Sequence, residues 1–278
     1  MPPPVRRHRF LTAVTDHTLL VVTSVIFLTP VVFIVLTAVM SDQQALSSRL
    51  WPQPFRWDNF RTALTQLPLL RYTWNTVQIA VLSTIGTVVS CVPVAYALSR
   101  MRWRGRQFAF LLVLATFMLP IQVTILPLYV VFRNLHWINS FKPLVVPSFF
   151  GDAFSIFLLR QFFMTIPEEL SDAAKVDGGD EIQIMTRVIV PLAKPAIAAV
   201  ALFNFLYAWN DFFAPLLFLN NPRLYTLAIG LSQFRTLRHV QWNLTMGASL
   251  LVTAPVIVIF FLAQRVFVEG VTLTGVKG

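Results

Sequence analysis

With 278 residues, 56% of them apolar and only 12% charged, the chain has too little polar surface for a water-soluble globule and reads as an integral membrane protein. Its formal charge of +10 does not call for nucleic acid, because a helical membrane protein with cytoplasmic arginines carries the same excess. The single cysteine, Cys91, excludes an internal disulfide framework and a cysteine-based metal site, and His8, His17, His136 and His239 are scattered without ligand spacing, so neither metal nor cofactor is expected.

The chain opens on MPPPVRRHRF and runs straight into a span-length apolar stretch with no clear cleavage site, which predicts a retained anchor. A spanning helix needs about 20 mostly apolar residues. Six such runs can be drawn, at about 19–40, 73–98, 108–132, 143–159, 196–219 and 244–263. Arg71 and Arg100 bound the second, and Arg106 and Arg133 bound the third. The fourth is short and holds Asp152, so it reads as a span or as a partly re-entrant segment. The expected fold is all-α: one polytopic membrane domain over 1–278, six transmembrane helices, both termini on one side. Each run carries proline, including Pro120 and Pro127 in the third, and each proline removes a backbone hydrogen bond and permits a kink. Arg6, Arg7 and Arg9 before the first run and Arg100, Arg102, Arg104 and Arg106 after the second assign that side to the cytoplasm. On the other side, residues 41–72 carry Trp51, Phe55, Trp57 and Phe60, either as an interfacial aromatic belt or as a surface for an external protein.

Between the fourth and fifth runs, residues 160–194 are polar and predict a cytoplasmic pair of short helices. Pro167 suits a helix start, and Glu168 and Glu169 place negative charge at the positive end of the helix dipole. Gly178 and Gly179 permit left-handed backbone, and Asp180 with Gln183 forms a variant of the capping box that starts a second helix, ended by Pro191. Ala173 and Ala174 are small enough for the backbone of another protein to approach closely, which makes the loop a docking surface. No G-x-x-x-x-G-K-[ST] phosphate loop, nucleophile elbow, H-E-x-x-H or dinucleotide fingerprint is present. Catalysis within this chain is therefore not expected, and energy for any pumping must come from a partner.

Asp172-Ala173-Ala174, then Gly178, then Val188-Ile189-Val190-Pro191 resemble the EAA-G-I-x-L-P signature of ABC-importer permeases. Asp172 stands for the usual Glu, Gly179 for a common Ala, and Val188 and Val190 for Ile and Leu. The ending GVTLTGVKG, from Gly270, resembles that of the second permease in maltose-type carbohydrate importers. The resemblance implies a type I ABC importer permease fold in the bacterial inner membrane. It also implies four kinds of partner beside the lipid: a homologous second permease, an ATP-binding cassette ATPase dimer, an extracytoplasmic solute-binding protein, free or lipid-anchored, and a small-molecule solute. Glu168, Glu169, Asp172, Ala173, Ala174, Asp177, Gly178 and Pro191 would couple to the ATPase. Thr272, Gly275 and Lys277 in the tail would touch the same partner, and Asn210 and Asp211, after Trp209, would lie on the substrate path. Neutral sugars, glycerol phosphate and glycerophosphodiesters are all solutes of such importers. The alternative is an ion-coupled secondary transporter or channel built on Asp152 and Asp211, since carboxylates at membrane depth are functional candidates by default; it leaves the cytoplasmic loop without a purpose.

Overall fold

The computed structural model describes residues 5–234 and 240–275, and all regular elements among them are helical. The long helices are α1 (Val5–Ala38), α2 (Asp58–Gln66), α3 (Leu69–Ser99), α4 (Arg106–Phe117), α5 (Ile121–Asn134), α6 (Ala153–Thr165), α7 (Glu168–Val176), α8 (Lys194–Asn210) and α9 (Trp242–Gly275). Two compact units are distinguished: Met1–Pro68 with Gln233–Thr253, and Leu69–Ser232 with Ala254–Gly278.

In the first unit, α1 exposes Leu19, Val25, Ile26 and Phe27 among many apolar side chains, a surface suited to hydrocarbon and not to water. At its end the Asn59 side chain donates to the carbonyls of Ala38 and Met40, each at 2.8 Å, satisfying groups that a helix terminus leaves without partners. The irregular segment that follows is tied down by Gln44, whose amide donates to Trp51 O at 2.7 Å and accepts from Gln53 N at 3.1 Å. Phe55 stacks near-parallel on Trp57, and Trp57 on Phe60.

In the second unit α3 lies at the centre, with α6, α8 and the 3-10 segment Val146–Phe150 packed around it. Gly86 permits the closest of these approaches: a Cβ there would sit 2.7 Å from the Phe149 ring. The core gathers Cys91, Ala95, Leu159, Phe163, Ile184, Ile189 and Val200. Cys91 is fully buried, and its sulfur accepts from the Asp152 N–H at 3.2 Å.

Several runs expected as single helices are broken. The third bends by 94° between α4 and α5, because Pro120 cannot donate to the preceding turn and takes an extended conformation (ψ 137°). Pro127, inside α5, is accommodated without a break. The fourth begins as Lys142–Val145 and Val146–Phe150, turns at Gly151 (φ +95°), and resumes as α6. Asp152 caps α6 through Ser155 N at 2.8 Å, which gives that carboxylate a structural task. The fifth stops at Asn210 and restarts at Phe213–Phe218. Among the described residues three helical stretches, Thr15–Ala38, Leu69–Ser99 and Lys142–Thr165, are individually long and apolar enough to cross a membrane.

Candidate functional site

The polar loop leaves α6 where Phe163 and Ile166 are drawn into the core and Ile166 and Pro167 adopt extended backbone. Arg100, just past the end of α3, donates through Nη2 to Ile166 O at 2.6 Å and to Pro167 O at 3.4 Å. One guanidinium thus holds the corner where the chain turns into α7, meeting carbonyls that the end of α6 leaves open. Burial pulls the Arg100 pKa below its ordinary value, and the nearby Glu168 carboxylate opposes that shift. Arg102 meets Glu168 at 2.9 Å, but both side chains are largely exposed and the pair adds little. Arg160 reinforces the corner from α6: its Nε donates to Leu98 O at 3.0 Å and its guanidinium lies 3.9 Å from the centre of the Phe110 ring.

Helix α7 ends as the two glycines demand. Gly178 is left-handed (φ +83°), its N–H donates to Lys175 O at 3.0 Å, and Gly179 N–H donates to Ala174 O at 2.9 Å, the paired bonds of a Schellman ending. A Cβ on Gly179 would lie 2.8 Å from that same Ala174 oxygen, so the departure from the common Ala has a local cause. The capping box forms as expected: Asp180 Oδ1 accepts Gln183 N at 2.7 Å, and Gln183 Oε1 accepts Asp180 N at 3.4 Å. Tyr96 of α3 donates its hydroxyl to Glu181 Oε2 at 2.6 Å, and Lys175 reaches the other oxygen at 3.3 Å. The second helix then buries Ile184 and Ile189 and widens into a π-turn over Ile184–Ile189. It passes through Pro191 and ends at Leu192, beyond the expected stop, bending by 79° into α8.

The loop therefore has two faces. Ser171 is buried and Ala174 is half-buried against the core, whereas Glu168, Glu169, Asp172, Ala173, Asp177, Gly178 and Pro191 are exposed. Leu170, Ala173 and Val176 recur every third residue along the outer face, and Val176 is 88% exposed. Ile182, 70% exposed, adds to this apolar outer surface from the second helix. The sequence reading missed Leu170, Val176 and Ile182; their three-residue spacing against charged neighbours was the available signal for the first two.

The other expected site residues lie elsewhere. Asn210 and Asp211 end α8, a helix roughly 25 Å long that begins at the loop. The Asn210 amide donates to Leu206 O at 2.7 Å, and Asp211 Oδ1 accepts Ala214 N at 3.3 Å. Thr272 and Gly275 lie on the backbone of α9, which runs past the expected end of the sixth span, and Lys277 lies outside the described residues.

A bundle of apolar helices broken by prolines and carrying a pinned polar loop is the architecture of a membrane permease. Residues 91–272 match the family of binding-protein-dependent transport system inner membrane components, and the chain belongs to that family. It is 33% identical to the arabinooligosaccharides transport system permease protein AraQ of Halalkalibacterium halodurans, over 82% of this chain and 81% of the relative. The AraQ protein of Bacillus subtilis is 30% identical, over 92% of both chains. The sn-glycerol-3-phosphate transport system permease protein UgpE of Brucella abortus is 31% identical, over 93% of this chain and 95% of the relative. In fold, the chain resembles a bacterial ABC transporter involved in the import of the acidic polysaccharide alginate (TM-score 0.79, 23% identity, covering 95% of this chain and 99% of that one). It also resembles the bacterial alginate transporter in complex with its alginate pentasaccharide-bound periplasmic protein (TM-score 0.69, 17% identity, 93% and 94% covered). The chain is thus a multi-pass inner-membrane subunit of an ABC importer, a transport component and not an enzyme, working with a second permease, ATPase subunits and a solute-binding protein. That assignment displaces the ion-coupled alternative.

Proposed function

We propose that the chain forms half of the translocation path for a carbohydrate or related solute, and that residues 160–194 are where the ATPase subunits dock. One observation carries this reading: a helical loop held at both ends by Arg100 and Tyr96 turns an apolar row, Leu170, Ala173 and Val176, away from its own protein. Arabinooligosaccharides and sn-glycerol 3-phosphate, named for the relatives, and the alginate of the similar structures support a carbohydrate-class solute. Glu168, Glu169, Asp172, Asp177 and Gly178 border the same outer surface, and the tail from Thr272 through Lys277 reaches the same partner.

The chain crosses the membrane six times with both termini in the cytoplasm. Supporting this, Arg100 and Arg102 touch the polar loop, so the densest arginine cluster and the docking face share one end of the bundle. Ala173→Trp in the assembled importer tests the docking. Added bulk on a close helix contact should weaken ATPase retention and solute uptake by about tenfold while membrane insertion is unchanged. Full retention and full uptake would refute docking through this face.

A further inference from the structure

Helices α3 and α4 are joined by one tight turn, Arg100 to Arg106, in which four of the seven residues are arginine. No carboxylate occurs in the sequence between Asp58 and Asp152, so the neutralising charge must come from another part of the fold or from outside the protein. The fold supplies Glu168, which meets Arg102 in a pair that is largely exposed on both sides. Arg106 donates through Nη1 to Ser99 O at 3.3 Å and Met101 O at 3.0 Å, neutral acceptors that fix the side chain and leave its charge uncompensated. Arg104 is exposed and makes no ion pair among the described residues. Gly105, with φ +92°, turns the chain back into α4. The Trp103 indole N–H donates to Ala97 O at 3.1 Å, and its ring lies over Gly105, where a Cβ would sit 3.6 Å away. Between these groups lies an open groove of about 350 Å³, lined by Arg102, Trp103, Gly105, Arg106, Gln107 and Phe108.

The surface that continues from the groove decides its occupant. Phe108 is 66% exposed, and Leu111 and Leu112, three and four residues on, are more than half exposed, so an apolar track leads from the groove along α4. Helix α4 with α5 is apolar enough for a broken span, which puts the basic turn at the headgroup layer and the track against hydrocarbon. A free phosphate or an acidic protein would use the arginines and leave the track idle. A phospholipid with a negative headgroup uses both. We propose that this turn binds an anionic phospholipid, its headgroup among Arg102, Arg104 and Arg106 and its acyl chains along Phe108, Leu111 and Leu112. The Trp103 ring closes the groove on the side of α3. The site rests on the membrane assignment of the chain and not on docking through α7.

The test uses the complete importer in detergent, offered phosphatidylglycerol and phosphatidylcholine of identical acyl chains in equal amounts, with bound lipid counted by native mass spectrometry. Phosphatidylglycerol should be retained with about tenfold preference, the scale expected of one or two arginines near an anionic headgroup. Arg102→Gln with Arg104→Gln should remove most of that preference, whereas Arg56→Gln with Arg61→Gln, the same loss of charge in the first unit, should preserve it. If the first pair fails to insert, Gln107→Glu, which adds a carboxylate to the groove, should have the same effect. Equal retention of the two lipids by the complete importer, with every partner subunit in place, would overturn the proposal. So would a preference that survives both groove variants, which would move the lipid elsewhere, and displacement by excess inorganic phosphate, which would make the groove a site for the free anion. The Ala173→Trp test reads ATPase retention and uptake, so either reading can fail without the other.

Discussion

Ala173 and Ala174 are adjacent and chemically identical, yet they do different work. Ala174 packs inward and lends its carbonyl to Gly179, so bulk there disturbs the loop's own packing before it meets any partner. Ala173 is the outward one, and it is the position at which docking can be tested cleanly. The sequence motif names the pair without telling them apart, because the helical phase is fixed only by which side the core takes. Tyr96 has the converse standing: it lies in an apolar run, and its hydroxyl holds Glu181. Tyr96→Phe removes that bond and should loosen the second half of the loop by about 1 kcal/mol, since Glu181 is part-exposed and water replaces some of the loss. Hydrogen exchange should register this as roughly fivefold faster exchange over residues 178–184. Unchanged exchange would make the contact incidental.

At the scale of elements, local chemistry was legible where it decides the outcome locally. The capping box at Asp180 and the glycine ending of α7 follow from side chains within four residues of one another, and both form. Breaks within the apolar runs were less legible. Pro120 and Pro127 look alike in sequence, yet one accompanies a 94° bend and the other lies within a continuous helix. Each removes the same kind of backbone hydrogen bond, so what separates them is not written in the local sequence. The π-turn at Ile184–Ile189 likewise has no composition signal. The orientation of the elements is tested by single cysteines in the Cys91→Ser background. Gly105→Cys and Gly178→Cys should resist an impermeant reagent applied outside intact cells, while Trp57→Cys and Trp137→Cys should react; labelling of the Gly105 position from outside would invert the topology.

At the scale of the molecule, what is absent matters as much as what is built. The sequence has no phosphate-cradling loop, so the work of ATP must enter through contact, and the outer face of α7 is the surface proposed for it. Asp152, one of the two carboxylates of an ion-coupled mechanism, is engaged as a helix cap. Purified chain in proteoliposomes, alone and then with its second permease, its ATPase and its solute-binding protein, decides between these energy sources with a radiolabelled neutral oligosaccharide as the solute. Uptake should be absent with the chain alone, should appear only with all partners and hydrolysable ATP, and should persist when proton and sodium gradients are collapsed; gradient-driven uptake by the isolated chain would contradict the importer mechanism.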